Sequence, residues 1–120
     1  LIFNSGTLLQ AGGQLTLNGE TAPLTMRDVS ISGDLLFAGV TGDIIFDATN
    51  NGTGLISGNI NLGGVLRGVD VGDGTSSIDL SIAGVISNGG ITKNNLGTLE
   101  LTGASAYTGA TTVNSGSLLI

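Results

Sequence analysis

Two carboxylates at even spacing are the first residues in this sequence that could do chemistry. Asp43 and Asp47 would project from the same face of a strand, and paired carboxylates carry acid–base chemistry in glycosidases. Four residues at about 3.3 Å each place them roughly 13 Å apart, beyond the ~5–9.5 Å that glycosidases use. We therefore expect no catalytic pair here, and we predict that the protein is not an enzyme.

The residue types that serve many other active sites are missing. The sequence has no His, which is the commonest general base and metal ligand, and no Cys, which excludes disulfides and thiolate metal sites. It also has no Gly-Lys-Ser/Thr phosphate loop. We predict no catalytic, cofactor or metal site.

Two short motifs leave ligand questions open. The stretch Asp70 to Gly74, with Asp73, resembles the Gly-Asp turns that bind calcium in some solenoids, but it lacks their tandem repetition. We interpret it as a surface turn. Asn51, Gly52 and Thr53 match the N-glycosylation pattern, which arises easily by chance in such a composition.

The charge balance narrows the range of partners. The sequence has nine carboxylates and only three cations, Arg27, Arg67 and Lys93, which gives a net charge of −6. Nucleic acid and anionic membranes are bound through clustered Lys and Arg, so the sequence argues against both. No apolar run reaches the ~18 residues of a membrane helix.

Short strand-like phrases recur along the chain, most of them alternating apolar and polar residues. The clearest phrases are Leu15–Leu17, Val29–Ile31, Ile44–Phe46, Ile60–Leu62, Val69–Val71, Ile78–Ile82, Leu99–Leu101 and Thr111–Val113. In Ile78–Ile82, the alternation predicts that Ile78, Leu80 and Ile82 point inward while Asp79 and Ser81 face water.

Gly, Asn or Asp stands between nearly all of these phrases, and 22 of the 120 residues are Gly. Examples are Asn18-Gly19, Gly33-Asp34, Gly42-Asp43, Asn51-Gly52, Asp73-Gly74 and Asn88-Gly89. These residues tolerate a positive φ, so we expect them to form corners. From these features alone, a parallel β-solenoid and an antiparallel β-sandwich stay equally open.

A repeated phrase favours the solenoid. Asn4 to Leu9 reads Asn-Ser-Gly-Thr-Leu-Leu, and Asn114 to Leu119 reads Asn-Ser-Gly-Ser-Leu-Leu. We interpret the phrase as a recurring corner followed by a strand. Two copies do not fix a repeat period.

The last third of the chain contains a more extended pattern. It reads Gly89-Gly90-Ile91-Thr92-Lys93, then Gly97-Thr98-Leu99-Glu100-Leu101-Thr102-Gly103, then Tyr107-Thr108-Gly109-Ala110-Thr111, and it closes on Gly116-Ser117-Leu118. Residues 85–120 thereby resemble the passenger-associated transport repeat of autotransporters. The resemblance implies a right-handed parallel β-helix, so we predict one solenoid segment over residues 1–120.

Two positions depart from the family pattern. Asn95 and Ser105 stand where Gly and Asn are usual, but Asn can adopt the left-handed conformation and Ser can hydrogen-bond at a corner. The pattern makes Tyr107 a packed corner residue. We expect Lys93 to be a structural or solvated residue and not a nucleophile.

The resemblance also implies a function. It predicts a structural stalk or passenger segment that supports secretion and display on the bacterial surface, with an outer-membrane β-barrel translocator as partner. Because the sequence begins at Leu1 without an initiator Met or signal peptide, we expect a fragment or a processed product of a larger chain. The alternatives are an adhesive module that binds surface glycans and a filament subunit that associates head to tail.

Overall fold

The computed structural model describes residues 1–4, 6–7, 10–18, 24–38, 42–49 and 51–120. These ranges are all β and contain no helix, and thus none long and apolar enough to cross a membrane. The strands are β1 Ile2–Phe3, β2 Gly6–Thr7, β3 Gln14–Asn18, β4 Leu24–Met26, β5 Val29–Ile31, β6 Asp34–Ala38, β7 Ile44–Phe46, β8 Gly54–Ile56, β9 Ile60–Val71, β10 Leu80–Ile82, β11 Ile86–Asn94, β12 Thr98–Leu101, β13 Thr111–Val113 and β14 Ser117–Leu119.

The strands stack in parallel as a β-solenoid of about 4 turns. The first face contains β1, β4, β7, the end of β9, the end of β11 and β13. The second face contains β2, β5, β8, β10, β12 and β14. The third face contains β3, β6 and the starts of β9 and β11. Because every described pair is parallel, the β-solenoid prediction is confirmed and the antiparallel sandwich is wrong.

One turn of the solenoid takes a variable number of residues. Along the second face Val29 pairs with Gly54, Gly54 with Leu80, Leu80 with Leu99, and Leu99 with Leu118. The successive separations are therefore 25, 26, 19 and 19 residues. The last two turns are the shorter ones, which explains why a single period is not visible in the sequence.

The core consists of aliphatic rows that run through successive coils. On the second face, one buried row contains Ile31, Ile56, Ile82 and Leu101, each at most 4% exposed. Such rows bury apolar side chains against their equivalents one coil away, which is the dominant stabilising contribution in a solenoid.

A column of glycines forms the corner between the second and third faces. Gly33, Gly58, Gly84 and Gly103 follow one another through the coils. A Cβ on any of the last three would collide with the backbone oxygen of the glycine before it. None of the four has a positive φ. The prediction that corner glycines serve for their positive φ is therefore wrong here, because this corner requires close approach of two backbones.

Several asparagines do form corners in the way the sequence predicts. Asn51, Asn88 and Asn95 have φ of 54°, 59° and 65°. This confirms that Asn95 adopts the left-handed conformation. The predicted corner Asn18-Gly19 includes Gly19, which lies outside the described residues.

The predicted strands agree well with the observed ones, with errors of exposure at Asp79 and at Ile78, which was predicted to point inward and is only partly buried. Val29–Ile31, Ile44–Phe46 and Thr111–Val113 coincide with observed strands. In the stretch Ile78–Ile82 only Leu80–Ile82 is a strand, and Asp79 is 1% exposed instead of facing water. The alternation fails because Asp79 precedes the strand and its carboxylate bonds to backbone.

The two copies of the repeated phrase lie on the same faces of the solenoid but two residues out of register. Along the first face Phe3 is level with Met26, Phe46 and Val71, whereas Val113 is level with Lys93, Val69 and Ile44. β1 and β13 lie on the first face, and β2 and β14 lie on the second. Asn4 and Asn114 each follow the first-face strand, as expected for a recurring corner. Ser5, Leu8 and Leu9 of the first copy lie outside the described residues.

Candidate functional site

Residues 85–120 form the last two coils, which we call the C-terminal coils. They contain β11, β12, β13 and β14. Their backbones are joined by regular bonds, such as Asn114 N–H to Lys93 O at 2.9 Å and Ile91 N–H to Ala110 O at 3.0 Å. Three sets of side chains reinforce this stacking.

The first set is a cage around Lys93. The side chain is fully buried, and its Nζ donates to the carbonyl oxygens of Asn94 at 2.8 Å, Asn95 at 2.7 Å and Ser115 at 3.1 Å. Burial lowers the pKa of the ammonium, while Asp70 and Asp79 act to raise it. The structural role predicted for Lys93 is thus confirmed, and the solvated one is wrong.

The corners at Asn95 and Gly116 make this cage possible. Asn95 has φ 65° and Gly116 has φ 72°. A Cβ at Gly116 would lie 2.7 Å from Lys93 Nζ, so a larger residue would press on the ammonium. The corner at Asn95, the corner at Gly116 and the side chain of Lys93 therefore form one unit.

Asp79 provides the second set of contacts. Its two carboxylate oxygens accept from Gly74 N–H at 2.9 Å and from Thr98 N–H at 2.8 Å. Thr98 begins β12 in the coil that follows. A buried carboxylate thus joins two coils through backbone donors, and these hydrogen bonds offset the cost of removing it from water.

The third set is a polar ladder on the outer side of the first face. Asn94 Nδ2 donates to Asp70 Oδ1 at 2.8 Å, and Asn114 Nδ2 donates to Asn94 Oδ1 at 2.8 Å. A shorter ladder joins Asn88 Nδ2 to Asn61 Oδ1 at 3.0 Å. These outward amides bond to one another, coil to coil.

Tyr107 packs as predicted. It lies partly buried against the hydrophobic core, and its hydroxyl is 2.7 Å from Thr111 Oγ1. Ser105 follows the bend at Gly103, and its backbone N–H donates to Gly103 O at 3.0 Å.

Arg67 is an interior cation that the sequence analysis missed. It is 2% exposed, its guanidinium lies 4.3 Å from the centroid of the Phe37 ring, and its Nη2 donates to Leu62 O at 2.8 Å. Nη1 also bonds to Gly42 O. Burial lowers its pKa. Arg67 pairs with Ile91 on the next coil, and Ile91 is buried. The cation therefore occupies an inward position, where an apolar residue is usual.

The predicted pair Asp43 and Asp47 is not brought together. The two residues stand at opposite ends of β7 and have separate partners. Asp43 Oδ1 accepts from Gly68 N–H at 3.2 Å. Asp47 forms an ion pair with Arg27 at 2.7 Å, and bonds from Thr49 and Arg27 lower its pKa from 3.8 to about 2.

The other candidate ligand residues lie on the surface. Asp70 bonds to Asn94, whereas Asp73 is exposed in the turn before β10. Within the described ranges, no group of three or more acidic, His or Cys residues is placed to hold a metal. Asn51 and Thr53 are both exposed on a turn.

A shallow groove runs along the corner between the third and first faces. Its volume is about 370 Å³. The floor contains glycines and Ala110, and the exposed side chains of Val65 and Leu66 form one wall. The groove has no charged lining residue. The groove therefore presents small, apolar and uncharged polar residues to a ligand.

Comparison with known proteins agrees with this geometry. No curated protein and no solved structure matches the chain. One family model does match, and it covers Ile91 to Ile120, the greater part of the C-terminal coils. The resemblance predicted from the sequence is confirmed over that range: residues 91–120 match the model of the passenger-associated-transport-repeat.

Proposed function

We propose that this chain is a segment of a secreted, surface-displayed bacterial passenger, in which it forms a length of β-solenoid that supports secretion and display. The observation that carries the proposal is the join between the C-terminal coils and the coils before them. The matched repeat continues the same parallel ladders, and Asp79 and the amide ladder bond one coil to the next.

A rod is the role that this arrangement fits best. In a solenoid each coil contacts only its neighbours, so a folded coil presents the ladder on which the next coil forms. Such a chain can fold progressively as it emerges from a translocator in the outer membrane, which is the partner we propose. The outward amides of Asn94 and Asn114 are engaged between coils, which favours a structural role over ligand binding at these positions.

The charge distribution suits a displayed surface. Two of the three cations, Arg67 and Lys93, are buried, and Arg27 is paired with Asp47. The outer surface is consequently acidic, and like charge keeps such a surface apart from other anionic surfaces.

The test uses the complete native protein and two glycine variants. Gly84→Ala places a Cβ against the Gly58 carbonyl, whereas at Gly74 the nearest atom to a new Cβ is Asp79 Oδ1 at 3.4 Å. Protease added to intact cells should digest the wild-type and Gly74→Ala proteins without lysis. Gly84→Ala should reach the surface in several-fold lower amount. A wild-type protein that is protected until the cells are lysed would contradict the proposal.

The adhesive and filament hypotheses stay predictions. Binding of the purified protein to a glycan array would favour an adhesive module. Sedimentation that depends on protein concentration would favour head-to-tail association.

A further inference from the structure

We propose that Lys93 acts as a register lock, a positioning residue whose buried ammonium selects the alignment of the last coil, residues 103–120, on the coil before it. This inference goes beyond the proposed function, because it concerns how one coil recognises the next and holds wherever the protein is displayed.

The position of Lys93 is the first argument. It stands in an inward row of the first face that otherwise contains Leu24, Ile44, Val69 and Val113. An aliphatic side chain would suit this row and would need no hydrogen bonds. Placing an ammonium there incurs a desolvation penalty, and that penalty is offset only if its donors are satisfied.

The acceptors are the second argument. Asn94 and Asn95 contribute two carbonyl oxygens from the coil of Lys93, and Ser115 contributes the third from the following coil. An ammonium has three donors, so these oxygens satisfy all of them. If the last coil slid by two residues, its inward and outward faces would be preserved, but Ser115 O would leave the cage.

The sparse packing of the last coil is the third argument. The three residues of β13 are all exposed, and Leu118 is only partly buried. Apolar burial therefore contributes little to fixing the alignment here. The Asn94–Asn114 bond at 2.8 Å and the Lys93 cage are polar side-chain contacts between these coils that distinguish one register from another, beside the partial packing of Tyr107 and Leu118.

The absence of Cys in this sequence allows a closely matched test. Lys93→Cys can be alkylated in the unfolded chain with bromoethylamine, which gives a side chain of the length of Lys that ends in an ammonium. Alkylation with bromopropane gives a neutral side chain of the same shape. Both proteins are refolded under the same conditions, and both are compared with the wild type.

The readout is amide hydrogen exchange together with the number of NMR signals. The Asn114 amide, which donates to Lys93 O at 2.9 Å, reports on the last coil. The Ser57 amide, which donates to Ile31 O at 2.9 Å, is the internal control. We expect the aminoethyl protein to match the wild type. In the propyl protein, Asn114 should exchange about tenfold faster, the loss expected for one hydrogen bond to a charged group.

The propyl protein should also give more than one signal for residues 111–119, although its melting temperature and its Ser57 exchange stay close to those of the aminoethyl protein. A general loss of packing would instead lower the melting temperature. Equal Asn114 protection and a single set of signals in the two alkylated proteins would overturn the proposal.

Discussion

Replacing Gly58 by Ala tests the packing of the solenoid corner. Gly58 lies in the glycine column between the second and third faces, and a Cβ there would collide with the Gly33 carbonyl and lie 3.0 Å from Asp34 N. The obstacle is backbone, which cannot rotate away as a side-chain end can. The coils must therefore separate at this corner.

The size of the effect follows from the bonds that flank the corner. A normal carbon–oxygen contact is about 3.3 Å, so the coils would have to move apart by about 1 Å or more. Ser57 N–H donates to Ile31 O at 2.9 Å, and Asn59 N–H donates to Asp34 Oδ1 at 2.8 Å. Loss of both bonds, one of them to a carboxylate, lowers the free energy of unfolding by about 3 kcal/mol. That corresponds to a melting temperature roughly 10–15 °C lower for a domain of this size.

Urea unfolding followed by circular dichroism measures this difference, with Gly74→Ala as the matched control. At Gly74 a new Cβ meets only ordinary contacts, the nearest at 3.4 Å. Ala also restricts the unfolded chain, so the control should differ from wild type by less than about 1 kcal/mol. If Gly58→Ala were as stable as Gly74→Ala, the close approach of successive coils at this corner would be refuted.

Three further predictions concern polar contacts. Asp79→Asn keeps one acceptor but turns an amide N–H₂ toward a backbone donor, so it should lower the free energy of unfolding by about 2 kcal/mol. The control, Asp73→Asn in the nearby turn, should change that free energy by less than about 0.5 kcal/mol, and urea titrations measure both variants. Because the pKa of Asp47 is lowered from 3.8 to about 2, its stabilising contribution is complete above pH 3.8 and is lost as the pH falls toward 2. The melting temperature of Asp47→Asn should therefore decline less steeply than that of the wild type over this pH range. Parallel curves of melting temperature against pH for the two proteins would contradict the prediction. Tyr107→Phe removes only the bond to Thr111 and should lower the free energy of unfolding by less than about 1 kcal/mol, with a larger loss indicating that the ring itself had moved.

The strands were the most predictable part of this fold. Alternation of apolar and polar residues located Val29–Ile31 because Val29 and Ile31 are buried in the core while Ser30 between them is not. Thr111–Val113 also coincides with a strand, although all three of its residues are exposed. Hydrophobic pattern alone could not separate a solenoid from a sandwich, since parallel and antiparallel strands present the same alternation. The repeat pattern in residues 85–120 supplied that distinction.

The interior polar residues could not be predicted in the same way. Asp79, Arg67 and Lys93 are types that ordinarily face water, and each is satisfied in part by backbone groups of its own coil and in part by a backbone group of another coil. The partners of Asp79 and Lys93 lie up to 22 residues away in the chain. The stacking register brings the distant partners, Ser115 and Thr98, into contact, and the register is a property of the folded solenoid.

Cysteine labelling on intact cells tests the central claim, a surface-displayed solenoid, most directly. Ser77 is exposed in the turn before β10, whereas Ile82 is 1% exposed in the core. Each is replaced by Cys in the complete native protein, with the unsubstituted protein as control, and the cells are treated with a membrane-impermeant maleimide. We predict that the cysteine at position 77 reacts on intact cells and that the one at position 82 reacts only after denaturation. Reaction at position 77 only after lysis would contradict display, and equal reaction at both positions on intact cells would contradict the solenoid.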